Sequence, residues 1–155
     1  MAINIKKEAP DPSPLDIPSL PKDAADHYLQ LASENYFYHE YPQAIENYHK
    51  AILIYERENN FLKVARVFQS IGDVYQVTHH YDEAEKEYLN AVDFHSKIGN
   101  LPGKAQAYKK IGQMYSKLEH KDKALEWYKK ALGTVKNGSP NLTLGQVQET
   151  LGRHY

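Results

Sequence analysis

The chain has 155 residues, a formal net charge of −1 and no cysteine. That excludes disulfides, thiolate metal sites and a thiol nucleophile, and bulk electrostatics favour no class of partner. No apolar run approaches membrane-spanning length and no signal-peptide core opens the chain, so a cytoplasmic protein without membrane insertion is expected.

Five of the eight prolines, Pro10, Pro12, Pro14, Pro18 and Pro21, fall in residues 1–21. No apolar periodicity accompanies them, which predicts an extended or disordered tail. A first helix is expected from about residue 22 to 38, with Asp23 and Asp26 at the positive end of its dipole. The second starts at Pro42, whose missing N–H costs nothing in a first turn, and runs to about Arg57. Helices follow over about 62–77, 82–97, 102–118 and 122–136. Gly99 suits the end of the fourth. Asn137-Gly138-Ser139-Pro140 is the strongest breaker in the chain, and a last helix is expected from about Leu142 onward. These fall into repeats over about 22–60, 61–100 and 101–140, with a terminal helix over 141–155.

The repeats are visible as a shift of 40 residues. Residues 71–91 read IGDVYQVTHHYDEAEKEYLNA, residues 111–131 read IGQMYSKLEHKDKALEWYKKA, and residues 31–51 read LASENYFYHEYPQAIENYHKA. Phe68, Ile71, Gly72 and Tyr75 occupy one face of the earlier helix of a pair, here called helix A. Ala84, Tyr88, Ala91 and Val92 occupy one face of the later, helix B. Gly72 and Ala84 allow a close approach, and Tyr75 and Tyr88 fill the space beside it. Ten of the thirteen tyrosines sit at such positions (Tyr28, Tyr41, Tyr48, Tyr75, Tyr81, Tyr88, Tyr108, Tyr115, Tyr128 and Tyr155), so the aromatic excess reads as packing. One hairpin cannot bury both of its faces, whereas a stack buries a continuous core.

The small–three–aromatic spacing of helix A and the Ala–four–aromatic–three–Ala spacing of helix B resemble the tetratricopeptide repeat over about residues 23–155. The resemblance implies an all-α fold, a right-handed superhelical stack of antiparallel helix pairs: three repeats plus one C-terminal helix. The family's usual period is about 34 residues, and the longer one here resembles its longer-repeat branch. Asn35 stands where the first repeat should carry an aromatic, so a looser first hairpin is expected.

In proteins of this type the helix A face opposite the core stripe lines a concave surface and holds peptides. Here it carries Asp26, Leu29, Ser33, Tyr36 and Phe37 in the first repeat. Arg66, Gln69, Asp73 and Gln76 follow in the second, Gln106, Lys109, Gln113 and Lys117 in the third, and Glu149 and Arg153 in the last helix. Gln side chains both donate and accept, which suits an extended peptide backbone. Arg66, Lys109 and Arg153 can meet carboxylates, and Tyr36 and Phe37 offer an aromatic anchor. The plainer reading is that neighbouring repeats pair these charges, Asp26 with Arg66 and Asp73 or Glu149 with Lys109, at little energetic gain. The two-lysine, arginine and asparagine clamp that some relatives use for a chain-terminal carboxylate is not reproduced.

His39, His79, His80 and His120 all fall at the turn between helices A and B, about 10 Å apart from repeat to repeat. Exposed turn residues are expected there, without a metal. Charge is uneven, with −5 over residues 1–60, −2 over 61–100 and +6 over 101–136. Lys110, Lys121, Lys123, Lys129, Lys130 and Lys136 read as a solvated basic surface, or as one half of a head-to-tail self-association with the acidic N-terminal part. Nucleic acid is not expected, because no aromatic interleaving accompanies the lysines. No phosphate loop, nucleophile elbow or paired-histidine metal motif is present. A non-enzymatic module that binds a protein or peptide partner without a cofactor is therefore expected. A self-assembling scaffold and a bacterial secretion-type chaperone are the alternatives.

Overall fold

A computed structural model describes residues 23–137, which form six α-helices. These are α1 (Ala24–Phe37), α2 (Tyr41–Arg57), α3 (Phe61–Val77), α4 (Tyr81–Lys97), α5 (Leu101–Lys117) and α6 (Lys121–Asn137). Each helix packs on the next in the chain, so three antiparallel pairs stack into an all-α solenoid. The expected tail over 1–21 and the terminal helix over 141–155 lie outside the described residues.

From α2 onward the helices begin every 20 residues, at Tyr41, Phe61, Tyr81, Leu101 and Lys121. The turns account for this regularity. His39, Asn59, His79, Gly99 and Glu119 all have φ between 58° and 67°. At each turn two amides reach back to the helix just ended, as His79 N–H does to the Gln76 carbonyl and His80 N–H to that of Tyr75. This is the left-handed helix stop that satisfies otherwise orphaned carbonyls. Only one of the five positions is glycine. Asn and His tolerate the conformation better than most residues.

The core is built as the repeat pattern requires. Ala44, Ala84 and Ala124 are buried, as are Ala51, Ala91 and Ala131 and the tyrosines between them, Tyr48, Tyr88 and Tyr128. A Cβ at Gly72 would lie 2.6 Å from Cε1 of Tyr88, and one at Gly112 would lie 2.6 Å from Cε1 of Tyr128. Glycine is therefore required by the ring of the partner helix, which lies directly over the backbone. In the first repeat Ala32 holds that place and is fully buried. The looser first hairpin expected from Asn35 finds a polar substitute. Asn47 donates to Asn35 at 2.8 Å, and Asn35 donates to Glu40 at 2.7 Å, tying α1 to α2.

Candidate functional site

The three A helices, α1, α3 and α5, set their C-terminal halves around a groove of about 420 Å³. Tyr36, Asp73, Gln76, Gln113 and Lys117 line it, five residues of the expected face. Val77, Met114 and Leu118 add an apolar floor, and His79 and Tyr81 form a rim at the turn. Gln76 donates to the Tyr88 hydroxyl at 3.0 Å, and that hydroxyl donates to Asp73 at 2.6 Å. Burial, and then the Asp73 carboxylate beside it, pushes Tyr88 far above the usual phenol range, so it remains a donor. Asp73 also takes Lys110 Nζ at 3.0 and 3.2 Å. These contacts hold the groove wall in place from beneath.

Lys110 is thus not part of a solvated basic surface: it is half-buried and engaged with the neighbouring repeat. Nor do the charges pair as expected. Asp26 meets Lys63 at 3.6 Å and not Arg66, and Asp73 meets Lys110 and not Lys109. Both observed pairs are separated by 37 positions. Residues 40 apart are equivalent by repetition, but the residue that touches the next A helix lies about one helical turn short of that. Lys117, at 3.4 Å from the Gln76 side-chain oxygen, reaches across the same gap.

A second cleft, of about 390 Å³, lies between the N-terminal parts of α3 and α5. Arg66, Gln69 and Gln106 of the expected face line it, together with His95, Asn100, Pro102 and Gly103. His95 is only 2% exposed. Its Nε2 lies 3.0 Å from the Gln69 side-chain oxygen and its Nδ1 lies 3.1 Å from Asn100 Nδ2. Asn100 also caps α5, its side-chain oxygen accepting the Gly103 amide at 3.1 Å. Burial, and then the Arg66 charge, holds the imidazole below its ordinary value, favouring the neutral ring.

Residues 18–151 match the sequence profile of SNAP, soluble NSF attachment protein. The chain belongs to the SNAP family. No curated protein sequence matches it. Among solved structures the SNAP-family chain is similar to aspartyl phosphate phosphatase F from Bacillus subtilis, at 21% identity and a TM-score of 0.70 over 85% of this chain and 35% of that one. It is also similar to MamA, at 26% identity and 0.59 over 79% of this chain and 64% of that one. The N-terminal domain of stress-induced protein-1 (STI-1) from C. elegans matches at 19% identity and 0.63, over 82% and 94%. The chain thus spans about a third of the length of the phosphatase and under two thirds of MamA.

The remaining expected residues of the SNAP-family chain are scattered. Asp26 is engaged by the Tyr55 hydroxyl and by Lys63, and Leu29 packs against the core. Ser33, Phe37 and Lys109 line neither cavity, and Phe37, 74% exposed, meets Tyr38 ring to edge. Glu149 and Arg153 lie outside the described residues. Sequence reasoning missed Lys110, His95 and Asn100. Lys110 was hidden by the 37-residue offset. His95 was visible in principle, because it stands in a buried helix B position that Tyr55 and Val135 hold in the flanking repeats. The four turn histidines, His39, His79, His80 and His120, are exposed. Among the described residues no group of three or more His, Cys, Asp or Glu could hold a metal, and no helix is long and apolar enough to cross a membrane.

Proposed function

We propose that the chain is a non-enzymatic interaction module that holds a peptide or helical segment of a partner protein along α1, α3 and α5. The observation that carries this reading is the groove of about 420 Å³ that gathers side chains from three successive A helices. It offers what an extended peptide needs: an apolar floor for one side chain, aromatic walls at Tyr36 and Tyr81, and amides at Gln76 and Gln113 for the main chain. Membership in a family described as attachment proteins supports the same reading, as does a repeat architecture that exposes an extended surface. Helix pairs that restart every 40 residues fit the longer-repeat branch of tetratricopeptide-like proteins. A cytoplasmic setting, a protein rather than nucleic-acid partner, and the absence of catalysis belong to this proposal.

The test is selection of a random peptide library on the immobilised full chain, followed by titration of the selected peptides. Gln113→Ala combined with Lys117→Ala should weaken them at least tenfold; both residues are exposed, so the fold is spared. Selected peptides that bind this double variant and a Tyr36→Ala variant as tightly as the parent would refute the assignment to this face.

A further inference from the structure

The two ion pairs between A helices share one offset. Asp26 touches Lys63 and Asp73 touches Lys110, each 37 positions on. The same offset from Arg66 leads to Gly103, which has no side chain to offer. Arg66 is exposed and forms no ion pair among the described residues. It is the one position in this register where α3 presents a permanent charge and α5 supplies no counterpart.

The repeat-equivalent place at the first junction shows what is missing. Asp26, Tyr55 and Lys63 are the counterparts of Arg66, His95 and Gly103. There the Tyr55 hydroxyl donates to the Asp26 carboxylate and Lys63 lies 3.6 Å from it, so acid and base are both supplied by the chain. At the second junction the acid has become a cation and the base has become a glycine.

The amides around Arg66 are oriented to match. Asn100 is fixed because its oxygen accepts the Gly103 amide, which turns its NH2 toward His95 Nδ1. Nδ1 must therefore accept, and in the neutral ring Nε2 carries the proton. That proton is given to the Gln69 side-chain oxygen. That bond turns the Gln69 oxygen toward His95 and occupies one of its lone pairs, and the Gln69 NH2 forms no hydrogen bond among the described residues. From the cap of α5, three hydrogen bonds in series leave the cleft with two donors, the Arg66 guanidinium and the Gln69 NH2. Gln106, at the 37-residue offset from Gln69, adds a neutral amide on the same rim.

We infer that the cleft between α3 and α5 is a subsite for the side-chain carboxylate of an acidic residue within a bound peptide, held by Arg66 and Gln69. Gln106 meets the peptide bond next to that residue, which is why an internal acidic residue, with main chain on both sides, fits better than a chain end. The inference rests on the interaction reading above and adds the chemistry of one contact. A charged donor pair around a carboxylate is the stronger class of hydrogen bond. The amide chain beneath it turns the Gln69 oxygen toward His95 and leaves the NH2 for the ligand.

The test is titration of the full chain with N-acetylglutamate N-methylamide, followed by nitrogen–proton correlation NMR. Saturable shifts are expected at the Gln69 side-chain amide and the Arg66 Nε–H. Binding should be at least tenfold weaker for the neutral glutamine analogue and should vanish in Arg66→Gln. Gln69→Glu keeps an acceptor for His95 and replaces the donor by a negative charge, so it should abolish binding without disturbing the remaining spectrum. Lys129→Gln, an exposed change on α6, should leave binding unchanged. Equal binding of the neutral analogue, survival of binding in Gln69→Glu, or tighter binding of N-acetylglycine as a chain-end mimic would each overturn the inference. If library peptides bind through Gln113 and Lys117 while the small acid leaves the cleft unshifted, the subsite falls and the interaction reading stands.

Discussion

The first and second junctions of the stack use equivalent backbone positions for opposite ends. At the first, between α1–α2 and α3, Asp26, Tyr55 and Lys63 satisfy one another. At the second, between α3–α4 and α5, His95 is buried and joins Gln69 of its own pair to Asn100 of the next. The first contact is exposed and charged, with the Asp26 side chain 62% accessible, and such pairs contribute little. The second is neutral, part-buried around His95 and three hydrogen bonds long, and polar networks of that kind are costly to leave half-made. A solenoid can therefore repeat its fold faithfully while it varies how firmly one unit is tied to the next.

The sharpest way to break this contrast is His95→Ala. It leaves Asn100 and Gln69 each short of a partner and opens a void, and should cost about 3 kcal/mol in urea unfolding. Gly103→Ala comes next. Its Cβ would lie 2.4 Å from His95 Cε1 and 2.5 Å from Asn100 Nδ2, so a loss of about 2 kcal/mol is expected even though alanine is the better helix former. At the equivalent position Lys63→Ala should change stability by less than about 0.5 kcal/mol, and a similar cost at the two sites would erase the distinction. Tyr55→Phe removes the hydroxyl from Asp26 and should cost about 1 kcal/mol by thermal melting.

The smallest effect is in pH. His95 is held below its ordinary value of 6.5 in the fold, so the unfolded chain takes up a proton first as pH falls. Stability is complete above about pH 6.5 and declines through the window from there down to the depressed folded value. Asp26 is also depressed, chiefly by the Tyr55 hydroxyl, but its contribution is lost only below 3.8, the ordinary value from which it is lowered. Urea midpoints between pH 7.5 and 5.5 should therefore drop, and His95→Gln should flatten most of that slope. An unchanged slope in the variant would assign the pH dependence to other groups.

Much of the fold was legible because packing obeys the same period as the sequence. The breaker residues and the Ala–Tyr–Ala stripe located every described helix to within about two residues, and Gly72 announced a close approach before Tyr88 was seen lying over it. The candidate site was legible only as a face. Gln76, Gln113 and Lys117 are on it as expected. Which residue touches which depends on how far each pair slides along its neighbour, and the periodicity of the exposed residues does not carry that slide. Asp73 thus found Lys110, one position from the expected Lys109. His95 escaped notice because a polar residue in a core stripe looks like an interruption until its two partners are known.

The regular left-handed stops have a consequence for how such a chain changes length. At His39, Asn59, His79, Gly99 and Glu119 the backbone bends through the same torsions and closes the same pair of hydrogen bonds. The main chain keeps no record of whether a turn lies inside a pair or between two. Recombination at any two stops 40 residues apart joins a helix end to a helix start that already fit. New cassettes can be duplicated or excised with no linker to invent, and each event adds or removes one A helix of groove. Selection is left to act on the side chains that decide whether a junction is latched, like His95, or only brushed by opposite charges, like Asp26.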